Sequence, residues 1–253
     1  MSAYDLTLLV HVLLFCYWLG GDIGVFYSSN FVVDPSLSRE ARLVAAKIML
    51  GCDLIPKICM SLMLTVGGIL TEFVGIDHPL WQIIGIILLG PVWLTMVLVL
   101  HFQHKAAFIP LLTRIDFYFR WILIAGVVAS CFYSLSTGRL DDTPWIAAKL
   151  LGFAFLIFCG LMIRINLKDF GATYTKMIQN NYNNSDNQIM ANSLKRVKPW
   201  VVTIWAVLIM EGALGIAKPG SPDASRHLSA LQTIEQTTLA SVIDQQQSRH
   251  SHD

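Results

Sequence analysis

Six stretches of mostly apolar residues, at about 5–30, 48–73, 80–103, 119–137, 145–164 and 200–217, each reach the ~20 residues that a helix needs to cross a bilayer. In hydrocarbon every backbone N–H and C=O must find its partner within the protein, and a single apolar run of this length does so as a helix. Charged residues make up only 14% of the chain, against roughly 25% in soluble domains, which leaves too little polar surface for a soluble fold. The expected fold is therefore an all-α integral membrane protein, a six-transmembrane-helix bundle over residues 1–218 with a polar tail at 219–253. Pro56 and Pro91 fall inside the second and third segments, where neighbouring helices can re-satisfy the carbonyls they free. Trp81, Trp145 and Trp200 stand at segment ends, at the level where an amphipathic ring meets the headgroups.

Basic residues alternate from loop to loop. The first loop carries Arg39, Arg42 and Lys47, the third Lys105 and Arg114, and the fifth Lys168, Lys176, Lys195, Arg196 and Lys198. The second loop (TEFVGIDHPL) has none, and the fourth (STGRLDDTP) sets one arginine against two aspartates. By the positive-inside rule the odd loops are cytoplasmic and both termini lie outside (periplasmic), in a multi-pass protein of the cell inner membrane. MSAYDLTLL runs straight into a span without a basic n-region, so no cleavable leader is expected. In the fifth loop QNNYNNSDNQ has no apolar period and reads as flexible and solvated. PGSPDASRH reads as a linker, and LSALQTIEQTTLASVID beyond it has weak helical spacing, open between a short interfacial helix and disorder.

Within this apolar background the ionisable residues stand out, because each costs roughly 2.5–3.5 kcal/mol on insertion scales. In HVLLFCYWLGGDIG the helical period puts His11, Trp18 and Asp22 on one stripe, and Gly20, Gly24 and Ser28 on a second stripe of small residues. Converting sequence position to depth at 1.5 Å per residue brings His11, Lys149 and Glu211 to a common level in the outer half of the bundle. Asp22, Asp53 and Lys57 form a deeper group, with Asp53 and Lys57 spaced four apart for an ion pair within one helix. That group reads either as a proton or ion relay or as a self-neutralising structural pair, and Lys149 either as a site residue or as a side chain that snorkels outward. His101 and His104 mark the cytoplasmic end of the third segment. Met49, Cys52, Pro56, Cys59, Met60 and Met63 form a stripe along the second, with sulfur ligands that suit Cu(I) or, equally, fill a core. The five cysteines form no C-x-x-C pair, so disulfides are not expected.

HVLLFCYWLGG, with His11 and Trp18 followed by glycines, is similar to the first helix of HemJ-type protoporphyrinogen oxidases and of the related CopD-like membrane proteins. WIAAKLLGF, with Lys149, resembles the W-x-x-x-K-L segment those proteins carry in a late helix, and Pro56 looks like a shared feature of the second. The resemblance implies a small helical bundle holding haem b, with His11 as axial ligand. It makes Lys149 the second group at the haem or substrate site. Two further spans, the long fifth loop, and Asp53 where arginine would be sought depart from that pattern.

The leading expectation is a haem b-binding redox protein passing electrons between a membrane donor and an acceptor, either a protein or a quinone. Trp18 would pack against the ring, and Lys149 and Glu211 would serve as polar partners of the propionates or of a proton path. Depth disfavours pairing His11 with His101, so the second axial ligand stays open between Lys149, water and another group. The alternatives are a proton-coupled ion or copper transporter working through Asp22, Asp53 and Lys57, and a non-catalytic anchor subunit. Homo-oligomerisation stays open. No P-loop, G-x-G-x-x-G, G-x-S-x-G or H-E-x-x-H is present, and the basic residues follow loop topology rather than forming a nucleic-acid patch.

Overall fold

The computed structural model describes residues 1–103 and 106–221; His104 and the tail from residue 222 onward, including all of LSALQTIEQTTLASVID, lie outside them. The described residues form seven helices and no strand: α1 (Ala3–Val33), α2 (Arg39–Phe73), α3 (Leu80–Phe102), α4 (Ile109–Ser136), α5 (Pro144–Asn166), α6 (Lys168–Ile178) and α7 (Asn184–Ala217). All but α6 are long and apolar enough to span a membrane. Their outward faces carry large apolar side chains, such as Ile23, Val202 and Ile209, as lipid contact requires. The start of α1 packs beside the end of α2, with Tyr4 edge-on to Phe73 at 5.9 Å. Six crossings bring the end of α7 back to this same face, called here the terminal side.

Capping fixes the boundaries. Ser2 and Asp5 form a capping box at α1, Ser38 caps α2, and Asn183 and Asp186 form a second capping box at α7. Pro144 opens α5 at a position where its missing N–H costs nothing.

Helices α1, α2 and α7 are longer than a bilayer needs. Their 31, 35 and 34 residues correspond to about 46–52 Å, well beyond the ~30 Å of hydrocarbon. The surplus collects on the side opposite the termini, where α6 lies across it. There Val32, Ala46, Met49, Phe170, Met177 and Met190 close a second core distinct from that of the bundle. QNNYNNSDNQ, expected to be flexible and solvated, is mostly exposed, and its second half forms the start of α7. The Asn183 side chain accepts the Asp186 N–H (2.9 Å), Asp186 accepts the Asn183 N–H (3.1 Å), and the buried Asp186 pairs with Lys176 at 2.8 Å. The run lacks apolar period because capping and an ion pair, not burial, hold it.

Arg42 is the hub of this headpiece. Buried to 6% exposure, it donates to the Val32 carbonyl, the Tyr182 hydroxyl and Asn187 Oδ1, each at 2.7 Å, and stacks over the Tyr182 ring. Hydrogen bonds to a charged donor are worth about 1.5–3 kcal/mol. Arg42→Ala is therefore expected to lower stability by about 2–3 kcal/mol. Limited proteolysis should then cut first between α6 and α7, with the membrane spans still protected.

Within the bundle α1 and α2 pack most closely. A Cβ at Gly21 would meet the Pro56 ring at 2.7 Å, and one at Gly24 would meet Cys52 Sγ at 3.2 Å. The small-residue stripe thus runs through Gly21, Gly24 and Ser28, and Gly20, expected on it, has nothing within 4 Å of where its Cβ would be. A Thr65 clasp joins α2 to α3: its hydroxyl donates to the Ile86 carbonyl (2.6 Å) and accepts the Gly90 N–H (2.8 Å). The methionine and cysteine stripe of α2 is divided between the two cores, with Met49 in the headpiece and Cys59, Met60 and Met63 in the bundle.

Candidate functional site

On the terminal side the six spanning helices enclose one cavity of about 1030 Å³. Its wall is mostly apolar, and its size lies at the upper end of the ~300–1,000 Å³ usual for small-molecule and cofactor pockets. His11 and Trp18 from α1, Lys149 from α5 and Glu211 from α7 all line it. The structure therefore brings together the outer group that depth alone selected.

The neighbours of each side chain account for its place. His11 stands against Gly67 of α2, where an added Cβ would come within 3.4 Å of its Cε1, so the glycine lets the α2 backbone close up to the imidazole. Its Nδ1 is buried and has no hydrogen-bond partner. Lys149 and Glu211 are held by reciprocal notches. The Lys149 Nζ lies against Gly215 of α7, where a Cβ would approach to 3.0 Å, and the Glu211 carboxylate occupies the space that a Cβ at Gly152 of α5 would fill. The two attract each other electrostatically, and Lys149 also acts on His11. Glu211 Oε1 is buried without a partner, although the residue is only 8% exposed. Unpaired buried polar atoms cost about 1–3 kcal/mol each, and three residues of this wall carry one, since Trp145 Nε1 is also buried without a partner. Trp18, 3% exposed, sits edge-on to Phe153 low on the same wall.

Arg139 and Lys218 join Lys149 as basic wall residues, and Glu211 is the acidic one. Three cations against one carboxylate leave an excess of two positive charges. Lys218 lies over the Trp145 ring at 6.0 Å, beside the end of α7.

The deeper group is also assembled, but outside the cavity. Asp53 and Lys57 make an ion pair along α2 and are 36% and 43% exposed; Asp22 faces Asp53 across the α1–α2 contact and keeps Oδ2 buried and unpartnered. His101, in the last turn of α3, contacts the Phe102 ring and does not line the cavity.

Sequence reasoning passed over two features. Asp116 of α4 is 2% exposed and receives Arg120 Nε at 3.1 Å and Arg164 of α5 at 2.5 Å; Arg120 also lies over the Trp93 ring. Asp116 fell outside the fourth span as expected from 119, whereas α4 begins at Ile109; Arg120 and Arg164 fell inside the expected spans and were not singled out. The second is His78, in the short α2–α3 connection, which lines the cavity with its side chain 8% exposed. Glu72, six residues earlier and one residue before the end of α2, was the signal available. No group of three or more metal-ligating His, Cys, Asp or Glu side chains occurs among the described residues. Comparison of the chain with family models, with curated proteins and with solved structures gives no match.

Proposed function

We propose that the cavity holds haem b and that the protein passes electrons within the membrane between a donor and an acceptor. The observation that carries this reading is the wall itself: an imidazole with an unpartnered nitrogen and two surplus positive charges, in one large apolar chamber closed by all six spans. Neutral imidazole is a good iron ligand, a dry space between helices suits a porphyrin, and two unmatched cations suit its two propionates. The likeness of HVLLFCYWLGG and WIAAKLLGF to HemJ-type and CopD-like proteins points the same way.

His11 would ligate the group, and Gly67 would keep that imidazole pressed to α2. Trp18 would pack against the ring from below. Lys149, positioned by Gly215, and Arg139 and Lys218 nearer the mouth would pair with carboxylates. Glu211, tied to Lys149 by charge, would hold or release a proton at its free Oε1 as the charge in the cavity changes. Bound there, haem would supply one-electron exchange. With both termini outside and the cavity on the terminal side, exchange would take place with a partner or quinone reached from the outer half of the inner membrane.

The test is the visible absorption spectrum of the detergent-purified protein, as isolated and after dithionite. A Soret band with sharpened α and β bands on reduction is the expected result. A colourless, well-folded protein would overturn the haem reading and transfer the proposal to ion or copper transport through Asp22, Asp53 and Lys57.

A further inference from the structure

Three histidines fall among the described residues, and two of them, His11 and His78, line the same cavity. The chain builds a support around His78 that it does not build around His11. His78 Nδ1 lies 2.6 Å from the Glu72 carboxylate and 2.7 Å from the Ile76 carbonyl. Both partners are acceptors, so Nδ1 must carry the proton, and in the neutral ring the lone pair is on Nε2. That nitrogen has no hydrogen-bond partner and is not among the buried unpaired atoms, so it is open to the cavity.

The connection that carries His78 is held in place. Gly75, at φ +88°, turns the chain, the Ile76 N–H bonds back to the Thr71 carbonyl (3.1 Å), and the buried Ile76 side chain anchors the segment against Cys131, Leu140 and Ile146. Arg139 reaches over from the α4–α5 connection to donate to the Asp77 carbonyl and, at 3.2 Å, to Gln82. An imidazole fixed in one tautomer by a carboxylate and a backbone carbonyl, with its other nitrogen bare, is the usual arrangement of a metal-ligating histidine. A histidine kept only for packing needs no such frame.

We infer that His78 supplies the second nitrogen ligand, through Nε2, to the group that His11 holds; this rests on the haem reading above. His11 is level with Gly67 and the His78 support begins at Glu72, five residues further along α2, a rise of about 7.5 Å. His78 therefore approaches from nearer the mouth and His11 from deeper in the wall. Bound there, the group would take the Nε2 lone pair, while Nδ1 keeps its proton on Glu72 and the Ile76 carbonyl. Glu72 is a positioning residue: by accepting from Nδ1 it makes the imidazole a stronger donor.

The experiment is absorption and electron paramagnetic resonance spectroscopy of the full-length, haem-containing protein in its oxidised form. The wild type is expected to be six-coordinate and low-spin. His78→Ala should keep its haem but become high-spin, and added imidazole should restore the low-spin signal. Glu72→Gln should stay low-spin and raise the midpoint potential, because a less basic imidazole stabilises oxidised iron less. A low-spin signal unchanged in His78→Ala, or a wild type already high-spin, overturns the assignment of His78 while leaving haem binding intact. A protein that holds no haem overturns both.

Discussion

His11→Ala is expected to strip the purified protein of haem, while His101→Ala keeps most of it. Both histidines belong to apolar spans, so hydropathy alone does not choose between them. The structure separates them by position: His11 is on the cavity wall against Gly67, and His101 is in the last turn of α3, away from the cavity. Losing even an outer-shell partner of a ligating histidine costs about 10–100-fold in metal affinity, so losing the ligand itself should cost on the order of 100-fold or more. His78 alone would hold the ring only at the mouth. Haem per polypeptide, from the Soret absorbance after gel filtration, is the measurement. Loss on removing His101 with retention on removing His11 would put the site at the opposite end of α3.

The features that could be read from the sequence are those set by period and depth. The span count follows from apolar run length, which the bilayer enforces, and the meeting of His11, Lys149 and Glu211 follows from a fixed rise per residue. What could not be read depends on how backbones approach one another. Gly21 rather than Gly20 meets α2 because Pro56 projects a ring at that level, and nothing in the α1 sequence records it. The headpiece was hidden because its polar connection is held by caps and by Arg42, whose partners at Tyr182 and Asn187 lie 140 and 145 residues away. His78 escaped because its meaning rests on Glu72 and on a turn that aims it into a cavity built by other helices.

Asp116→Ala is expected to destabilise the protein far more than Asp53→Ala, although each aspartate begins an i,i+4 ion pair within a single helix. Asp53 lies 14 residues, about 21 Å, from the start of α2, and the helix surplus beyond the hydrocarbon takes up roughly that length. Its pair with Lys57 is 36–43% exposed, so water can take the place of either partner, and the expected cost of removal is about 0–1 kcal/mol. Asp116 has no such substitute. At 2% exposure it is the shared acceptor of Arg120, itself 8% exposed and covered by Trp93, and of Arg164 from the next helix. Removing it leaves two guanidinium groups facing each other inside the bundle, and breaking a buried pair in this way costs about 3–5 kcal/mol. Arg164 recovers part of this through its bond to the Thr113 carbonyl (3.1 Å) and its partial exposure; Arg120 keeps the Trp93 ring, the Met60 sulfur and the more distant pull of Asp53. Thermal unfolding in one detergent, followed by circular dichroism, compares the two variants directly. Equal losses would mean that Asp53 is as tightly committed as Asp116. In that case Asp22 beside it, with its buried unpaired Oδ2, would belong to one continuous charge network running from α1 to α5.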